Sequence, residues 1–152
     1  MKNFTVRRVT PDEGAAYPEF QRLVSAYWDE CANRSIGPAS PDIDQYRKLA
    51  EAGALHCSAL FDGGRMVGFV AVLSVAYPHF SKVCATVESI FLDPDYRHEG
   101  GGALLLKSAR EMAKDAGAVG LYISAPVGSR LERIARAKRW RNTNSVFFIE
   151  AL

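Results

Sequence analysis

The segment that most constrains the fold runs from an apolar stretch through three consecutive glycines into a helical pattern. Residues 87–92 are typical of a β-strand, Gly100, Gly101 and Gly102 follow, and residues 103–116 have helical periodicity. Glycines at such a junction leave backbone N–H groups unobstructed, and a helix N-terminus adds partial positive charge. The segment therefore predicts a strand–loop–helix unit with an anion site, suited to a phosphate or pyrophosphate.

The rest of the chain predicts a mixed α/β fold with the element order β-α-α-β-β-β-α-β-α-β. Strands are expected at residues 4–9, 55–61, 66–76, 83–92, 119–124 and 145–150, and helices at 10–28, 41–53, 103–116 and 128–139. An antiparallel region followed by βα units indicates a mixed central β-sheet flanked by helices on both faces. With no repeat and no linker, residues 1–152 are predicted to form a single domain.

Composition narrows the classes of protein. No run of the sequence approaches the roughly 18 apolar residues of a membrane span, and residues 1–8 lack the apolar core of a signal peptide. A cytoplasmic protein is therefore expected. The three cysteines are widely spaced without a Cys-x-x-Cys pair, so neither a metal site nor a disulfide framework is predicted. Residues 97–152 carry a net charge of +5 against −3 for residues 1–96, which suits a polyanionic ligand and by itself would also suit nucleic acid.

Three glycine-rich phosphate motifs compete for the loop. The dinucleotide fingerprint requires a glycine where Leu105 stands, and the nucleotide P-loop requires one where Leu106 stands. The pattern R-x-x-G-x-G is filled by Arg97, Gly100 and Gly102. This third motif is the one that the sequence satisfies.

With its Asp-Pro-Asp-Tyr lead-in, residues 93–96, this block resembles the GNAT family of acetyl-CoA-dependent N-acetyltransferases. The resemblance is strongest over residues 87–117 and extends at the level of the fold to nearly the whole chain. It implies acetyl-CoA as the cosubstrate. It also implies that backbone groups of Ile90, Phe91 and Leu92 pair with the pantetheine arm as an added strand would. The pyrophosphate is then expected on the loop residues Arg97, His98, Glu99, Gly100, Gly101, Gly102 and Ala103.

Glu88 is the candidate general base. Transfer to an amine needs the neutral amine, and Glu88 stands in an otherwise apolar strand just before the expected cofactor edge. In the GNAT family a glutamate at this strand position often acts as the base. By strict alternation Glu88 shares a face with Ile90 and Leu92, while Val87 and Phe91 share the other. A solvated glutamate, or one paired with an arginine, is the alternative.

The proton donor departs from the family's pattern. Many members carry a tyrosine in the last helix, five residues before the aromatic of a Gly-Phe pair. Here Arg139-Trp140 replaces that pair, and the tyrosine position falls on Ala135. Tyr122, Ser124, Ser129 or water are the substitutes that the sequence leaves open.

Other polar residues have weaker patterns. His79 lies in a loop near the expected acceptor entrance, although an ordinary loop histidine is the favoured interpretation. Cys84 has no neighbouring histidine or aspartate to support covalent catalysis. Asp29 and Glu30 come at the end of the first helix, where the resemblance implies the acceptor pocket and acids would suit a cationic amine, although a solvated helix end is the favoured interpretation. The basic residues of 130–141 suit either solvent or the 3′-phosphate of CoA.

The sequence thus predicts an N-acetyltransferase that transfers the acetyl group of acetyl-CoA to a primary amine by direct attack in a ternary complex. A non-catalytic acyl-CoA-binding module is the alternative, because the usual tyrosine is missing. The acceptor is a small-molecule or peptide amine whose identity stays open. Neither nucleic acid nor a membrane is expected as a partner, and a homodimer is one option.

Overall fold

A mixed β-sheet forms the centre of the computed structural model, which describes residues 2–151. Its five strands in that range follow the order β1-β2-β3-β4-β5; the first four pair antiparallel, and β5 is parallel to β4. The strands are β1 Phe4–Val9, β2 Leu55–Asp62, β3 Arg65–Tyr77, β4 Lys82–Leu92 and β5 Leu121–Tyr122. The helices are α1 Pro11–Ala15, α2 Phe20–Cys31, α3 Ile43–Glu51, α4 Gly101–Asp115 and α5 Arg130–Ala137. The predicted mixed sheet flanked by helices is confirmed.

The first helical pattern divides into two helices, which corrects the prediction of one helix over residues 10–28. A capping box opens α1: the Thr10 hydroxyl accepts from the Glu13 N–H at 3.1 Å, and the Glu13 carboxylate accepts from the Thr10 N–H at 2.8 Å. Pro18 lies between α1 and α2. A proline has no N–H to donate and its ring clashes with the preceding turn, so the helix stops and restarts there.

Two apolar cores lie on opposite faces of the sheet. Leu60 and Val72 of the sheet pack with Leu105 on the α4 side. Leu23 of α2 and Phe91 of β4 belong to the core on the other side. The loop between β4 and α4 therefore comes just after Phe91 of one core and leads into α4, the helix that covers the other core.

A β-bulge interrupts the middle of β4. Ser89 is opposite Ala71 and Val87 is opposite Val72, so Glu88 has no partner residue on β3. One extra residue on β4 bends the strand locally and reverses the alternation of side chains beyond it.

The bulge overturns the strict alternation expected for β4. Val87 lies in the same core as Ile90 and Leu92, whereas Phe91 belongs to the core on the α2 side. Glu88 does not share the side of Ile90 and Leu92, because its carboxylate reaches a side chain of α3. The inserted residue therefore directs Glu88 to the face covered by α2 and α3.

The C-terminal part of the chain differs most from prediction. The strand expected at 119–124 is restricted to Leu121–Tyr122, and the last strand expected at 145–150 is not formed. Residues 141–151 make no hydrogen bond within the described range, and they are exposed. A strand pattern forms a strand only when it pairs with the edge of another strand. Residues 141–151 pair with none, although the outer side of β5 is unpaired in the described part of the chain. Within residues 2–151, no helix combines the length and apolarity needed to cross a membrane.

Candidate active site

The outer edge of β4 is open over its second half. β5 pairs with β4 only at Ala85 and Thr86. Beyond these residues no other strand of residues 2–151 lies on that side, and the open stretch includes the predicted cofactor residues Ile90, Phe91 and Leu92. An unpaired edge offers backbone donors and acceptors to an extended ligand.

The loop that follows β4 leaves backbone N–H groups unused at the start of α4. Gly100 occupies the N-cap position with φ +92° and provides no side-chain cap. In the described part of the chain, the N–H groups of Gly101, Gly102 and Ala103 donate no hydrogen bond. With the positive end of the helix dipole behind them, these amides can hold a phosphate group.

The three glycines of the loop serve different purposes. The left-handed backbone at Gly100 strains any residue with a side chain, although the space around it is open. A Cβ at Gly101 would stand 2.9 Å from Leu60 Cδ2 and 3.2 Å from Leu92 Cδ2, so this glycine permits α4 to lie against the sheet. A Cβ at Gly102 would meet Leu92 only at 4.0 Å. Gly102 therefore leaves the outer surface of the first helical turn uncovered.

Arg97 holds the loop together through protein contacts. Its Nη2 donates to Glu30 Oε2 at 2.7 Å, and its Nε donates to the Leu92 carbonyl at 2.9 Å. Its backbone N–H donates to the carbonyl of Pro94 at 3.2 Å. In this structure Arg97 thus braces the loop, and a direct contact with phosphate stays a prediction. Glu30 is exposed near the end of α2, as expected, and in addition it forms this ion pair.

A second ion pair ties α2 to the same loop. Arg22 Nη2 donates to Asp93 Oδ2 at 2.7 Å, and Asp93 is 5% exposed. The other oxygen of Asp93 accepts from the Asp95 N–H at 3.1 Å and caps the turn over Pro94–Tyr96. Sequence analysis missed both ion pairs, since their partners are 67 and 71 residues apart. The Asp-Pro sequence signalled only the local turn.

One arginine of α5 reaches the glycine loop. Arg130 Nη1 and Nη2 lie 3.2 and 3.3 Å from the two ring nitrogens of His98, so the guanidinium lies alongside the imidazole. Arg136 instead bonds Glu132, and Arg133 bonds the Gly128 carbonyl. Of these basic residues, Arg130 is the one brought beside the predicted phosphate loop.

The bulge of β4 places Glu88 in solvent yet fixes its carboxylate. Glu88 is exposed, and its Oε1 accepts from the Tyr46 hydroxyl at 2.7 Å. Burial raises the pKa of Tyr46 far above its usual range, and the hydrogen bond to Glu88 raises it further. The phenol therefore stays protonated and keeps donating. Sequence analysis predicted only a helix over residues 41–53 and assigned Tyr46 no role.

Two further side chains complete what we call the Glu88 cluster: Glu88, Tyr46, Tyr27 and Cys57. The Tyr27 ring lies edge-on to Phe91 at 6.2 Å between centroids. Burial is the main cause of the raised pKa of Tyr27, and the charge of Glu88 is the second. The same two causes raise the pKa of Cys57 to about 11. Because these three neighbours hold their protons at neutral pH, Glu88 is the group of the cluster that can accept one.

The other sequence candidates lie apart or have structural partners. His79 is exposed at the tip of the β3–β4 hairpin, roughly 20 Å along β4 from Glu88 at the usual rise per residue. Ser129 caps α5 by accepting from the Glu132 N–H at 3.1 Å. Ser124 and Tyr122 are exposed, and Cys84 is half-buried. No group of three or more metal-binding side chains occurs among residues 2–151.

Comparison with known proteins adds independent information. The profile of the Acetyltransferase (GNAT) family matches residues 18–137, whereas no curated protein matches the chain. A ribosomal-protein-alanine N-acetyltransferase from Brucella melitensis biovar Abortus 2308 is 17% identical, with TM-score 0.71 and 99% of each chain covered. An aminoglycoside acetyltransferase from an uncultured soil metagenomic sample, in complex with sisomicin, is 16% identical, with TM-score 0.77, covering 98% of this chain and 96% of that one. The structure of AAC(6')-Iy with the bisubstrate analog CoA-S-monomethyl-acetylneamine is 15% identical, with TM-score 0.69 and 99% of each chain covered.

Proposed function

The chain belongs to the GNAT acetyltransferase family, and we propose that it transfers the acetyl group of acetyl-CoA to a primary amine by direct attack in a ternary complex. Membership makes the protein an acyltransferase of a family that uses acetyl-CoA as its cosubstrate. The alternative of a non-catalytic acyl-CoA-binding module is not favoured. What the family does not specify is which residues of this chain act and which amine they act on.

The residues present fit acetyl-CoA. The open edge at Ile90, Phe91 and Leu92 offers backbone pairing to the pantetheine arm, although the Leu92 carbonyl already accepts from Arg97. The free N–H groups of residues 101–103 suit the pyrophosphate. His98, Glu99 and Gly100 complete the proposed loop contacts. When bound, acetyl-CoA supplies an activated acyl carbon, and the protein's part is to position it and to manage the proton.

The proposed base is Glu88, acting directly or through one water. An ammonium has no lone pair with which to attack, so a base must take its proton first. The single observation that carries the proposal is an exposed carboxylate at the bulge, held at 2.7 Å by Tyr46, just before the open edge of β4. Because the Tyr46 phenol donates to one oxygen, the other oxygen of the Glu88 carboxylate is left to the acceptor.

The acceptor we propose is a primary amine on a small molecule or a peptide. An exposed carboxylate that accepts from the Tyr46 hydroxyl and whose charge raises the pKa of Tyr27 suits a cationic group that approaches from solvent. The similar structures include enzymes named for aminoglycosides and for a ribosomal-protein alanine. These two acceptor types therefore belong in the first substrate panel.

The test is release of free CoA thiol from acetyl-CoA across aminoglycosides, polyamines, free amino acids and peptides with N-terminal alanine. We expect turnover with at least one amine and a product heavier by one acetyl group. Saturable binding of acetyl-CoA without thiol release for any amine would instead support the binding module. The single-domain organisation and the cytoplasmic location stay predictions.

A further inference from the structure

The β3–β4 hairpin projects beyond β2. The pairing of β2 with β3 ends at Leu55 opposite Leu73, and the last contact on that side is the Ser74 N–H donating to the Ala54 carbonyl at 2.8 Å. Beyond it, β3 has β4 as its only neighbouring strand in the described part of the chain. We name residues 75–84 the ribbon. Two strands by themselves cannot bury the side chains on both of their faces.

One face of the ribbon is apolar and exposed. Val75 is 49% exposed and Tyr77 is 39% exposed. Their partners on β4 are Cys84 and Lys82, respectively. Cross-strand partners point to the same face of a sheet, so these four side chains form one surface. Large apolar side chains grouped in water on a projecting element are typical of a binding surface.

This face of the ribbon is continuous with the proposed acceptor site. Ala85 and Val87 lie in the core on the α4 side, so alternation places Cys84 and Thr86 on the opposite face. The bulge directs Glu88 to that same face. At the usual rise per residue, Thr86 and Cys84 lie roughly 7 and 13 Å along β4 from Glu88. The ribbon therefore leads away from the group that we propose as the base.

The charge changes along this path. Glu88 is the only acidic residue between positions 74 and 92, and the ribbon carries Lys82 and His79 instead. A polyamine or an aminoglycoside would thus have one favourable contact at Glu88 and would meet a cation at the far end. A chain with one terminal ammonium, followed by uncharged apolar groups, matches both the charge and the surface.

We propose that the ribbon binds the acceptor, and that the acceptor is the amino terminus of an extended apolar peptide. A path of roughly 20 Å from Glu88 to Lys82 is longer than a small amine requires and corresponds to about six residues of extended chain. Alternate side chains of such a peptide face the protein. With its amine at Glu88, the fifth residue comes beside Val75 and the seventh beside Tyr77. This inference rests on the proposed function, because it takes Glu88 as the base.

The test compares two octapeptides that share four alanines at the amino terminus. One has leucine and the other has serine at the fifth and seventh positions, with alanine at the sixth and eighth. With the full-length chain and acetyl-CoA, thiol release should give a kcat/KM at least tenfold higher for the leucine peptide, which is about 1.4 kcal/mol. Because the reacting ends are identical, this ratio reports contacts far from the amine. A ratio near one would overturn the proposal.

The double variant Val75→Thr, Tyr77→Thr removes the apolar surface and keeps residues that favour a strand. We expect it to bring the leucine-to-serine ratio close to one. The matched control is Val127→Thr, where the valine is 98% exposed outside the ribbon; this variant keeps the ratio. A thermal unfolding midpoint equal to that of the unaltered protein shows that the double variant is folded. General damage would lower kcat/KM for both peptides alike, and a ratio that survives in the double variant would overturn the proposal.

Failure of the proposed function gives a different result. If no amine releases thiol, the transfer reaction is absent, and calorimetric titration of both octapeptides with acetyl-CoA present still compares their affinities. Tighter binding of the leucine peptide would support the ribbon as a peptide site, and equal binding would overturn it. A dimer that is lost in the double variant, measured by light scattering, with both peptides bound equally, would show that the ribbon contacts a second copy and would also overturn the proposal.

Discussion

The middle and the end of β4 serve one proposed reaction and are built in opposite ways. At the end, the proposed cofactor loop offers backbone N–H groups made available by Gly100–Gly102, all within a few residues of one another. In the middle, Glu88 depends on Tyr46, which is 42 residues away on another helix. A binding site formed by backbone groups comes from residues that are adjacent in the sequence. A site formed by side chains depends on which secondary-structure elements pack together.

This difference predicts that variants at the two places affect separate quantities. Changes at the glycine loop should weaken acetyl-CoA binding, and changes in the Glu88 cluster should lower turnover with acetyl-CoA binding intact. The two ion pairs of α2, Arg22–Asp93 and Glu30–Arg97, connect the two places. The effects on acetyl-CoA binding and on turnover are therefore not expected to be completely separate.

The largest effect is expected for Glu88→Gln. Loss of the base should lower kcat at neutral pH by about 100-fold or more, the range typical of removing a general base. Part of the rate should return as pH rises, because more of the amine is then already neutral. A pH–rate profile checks this, with calorimetry showing unchanged affinity for acetyl-CoA. An unaltered profile would remove Glu88 from the mechanism.

The next effect is expected for Gly100→Val. A β-branched residue is strained at φ +92°, so the loop should shift and acetyl-CoA affinity should fall more than tenfold, which is about 1.4 kcal/mol or more. Gly117→Val is the matched control, since Gly117 also has a positive φ of 76° and open space, at the opposite end of α4. Calorimetry on both variants separates a local loop effect from general destabilisation. Equal affinity losses in the two would contradict a site at the loop.

A smaller effect is expected for Tyr46→Phe. Without the phenol, Glu88 loses the donor that holds its carboxylate, and kcat should fall about tenfold with KM for acetyl-CoA unchanged. The pH dependence of kcat should also move, which a purely structural role would not produce. Tyr17→Phe provides the control, because the Tyr17 hydroxyl bonds Arg7 outside this cluster. If both variants keep full kcat and the same pH profile, Tyr46 does not position the base.

The smallest effect concerns the Cys57 thiol. Burial, and next the charge of Glu88, raises its pKa to about 11, so alkylation should be slow at pH 8 and accelerate towards pH 11. In Glu88→Gln the negative charge is gone, the thiolate is less disfavoured, and the pKa should fall. Peptide-resolved alkylation rates measure this, with Cys31 as the internal control because Glu88 is not among the causes of its raised pKa. A Cys57 rate that does not change in the variant would place Glu88 farther away.

Local patterns predicted most of the fold and half of the candidate site. The glycine loop, the strand before it and the helix after it are in place because each depends on neighbours in sequence. The bulge at Glu88 was not predicted, since one inserted residue leaves no compositional trace. The bracing of Arg97 by Glu30 was missed for a related reason, because the motif shows which residue is present but not which partner it meets.

The two ends of the chain show what sequence and tertiary structure each contribute. Residues 4–9 and 145–150 both have strand patterns, and the sequence by itself determined that both favour extended backbone. β1 is a strand because all six of its residues pair with β2, whereas residues 145–150 pair with no strand among residues 2–151. Only the tertiary structure decided between these outcomes. A strand's hydrogen bonds are made with another strand, and the availability of that partner is a property of the folded molecule.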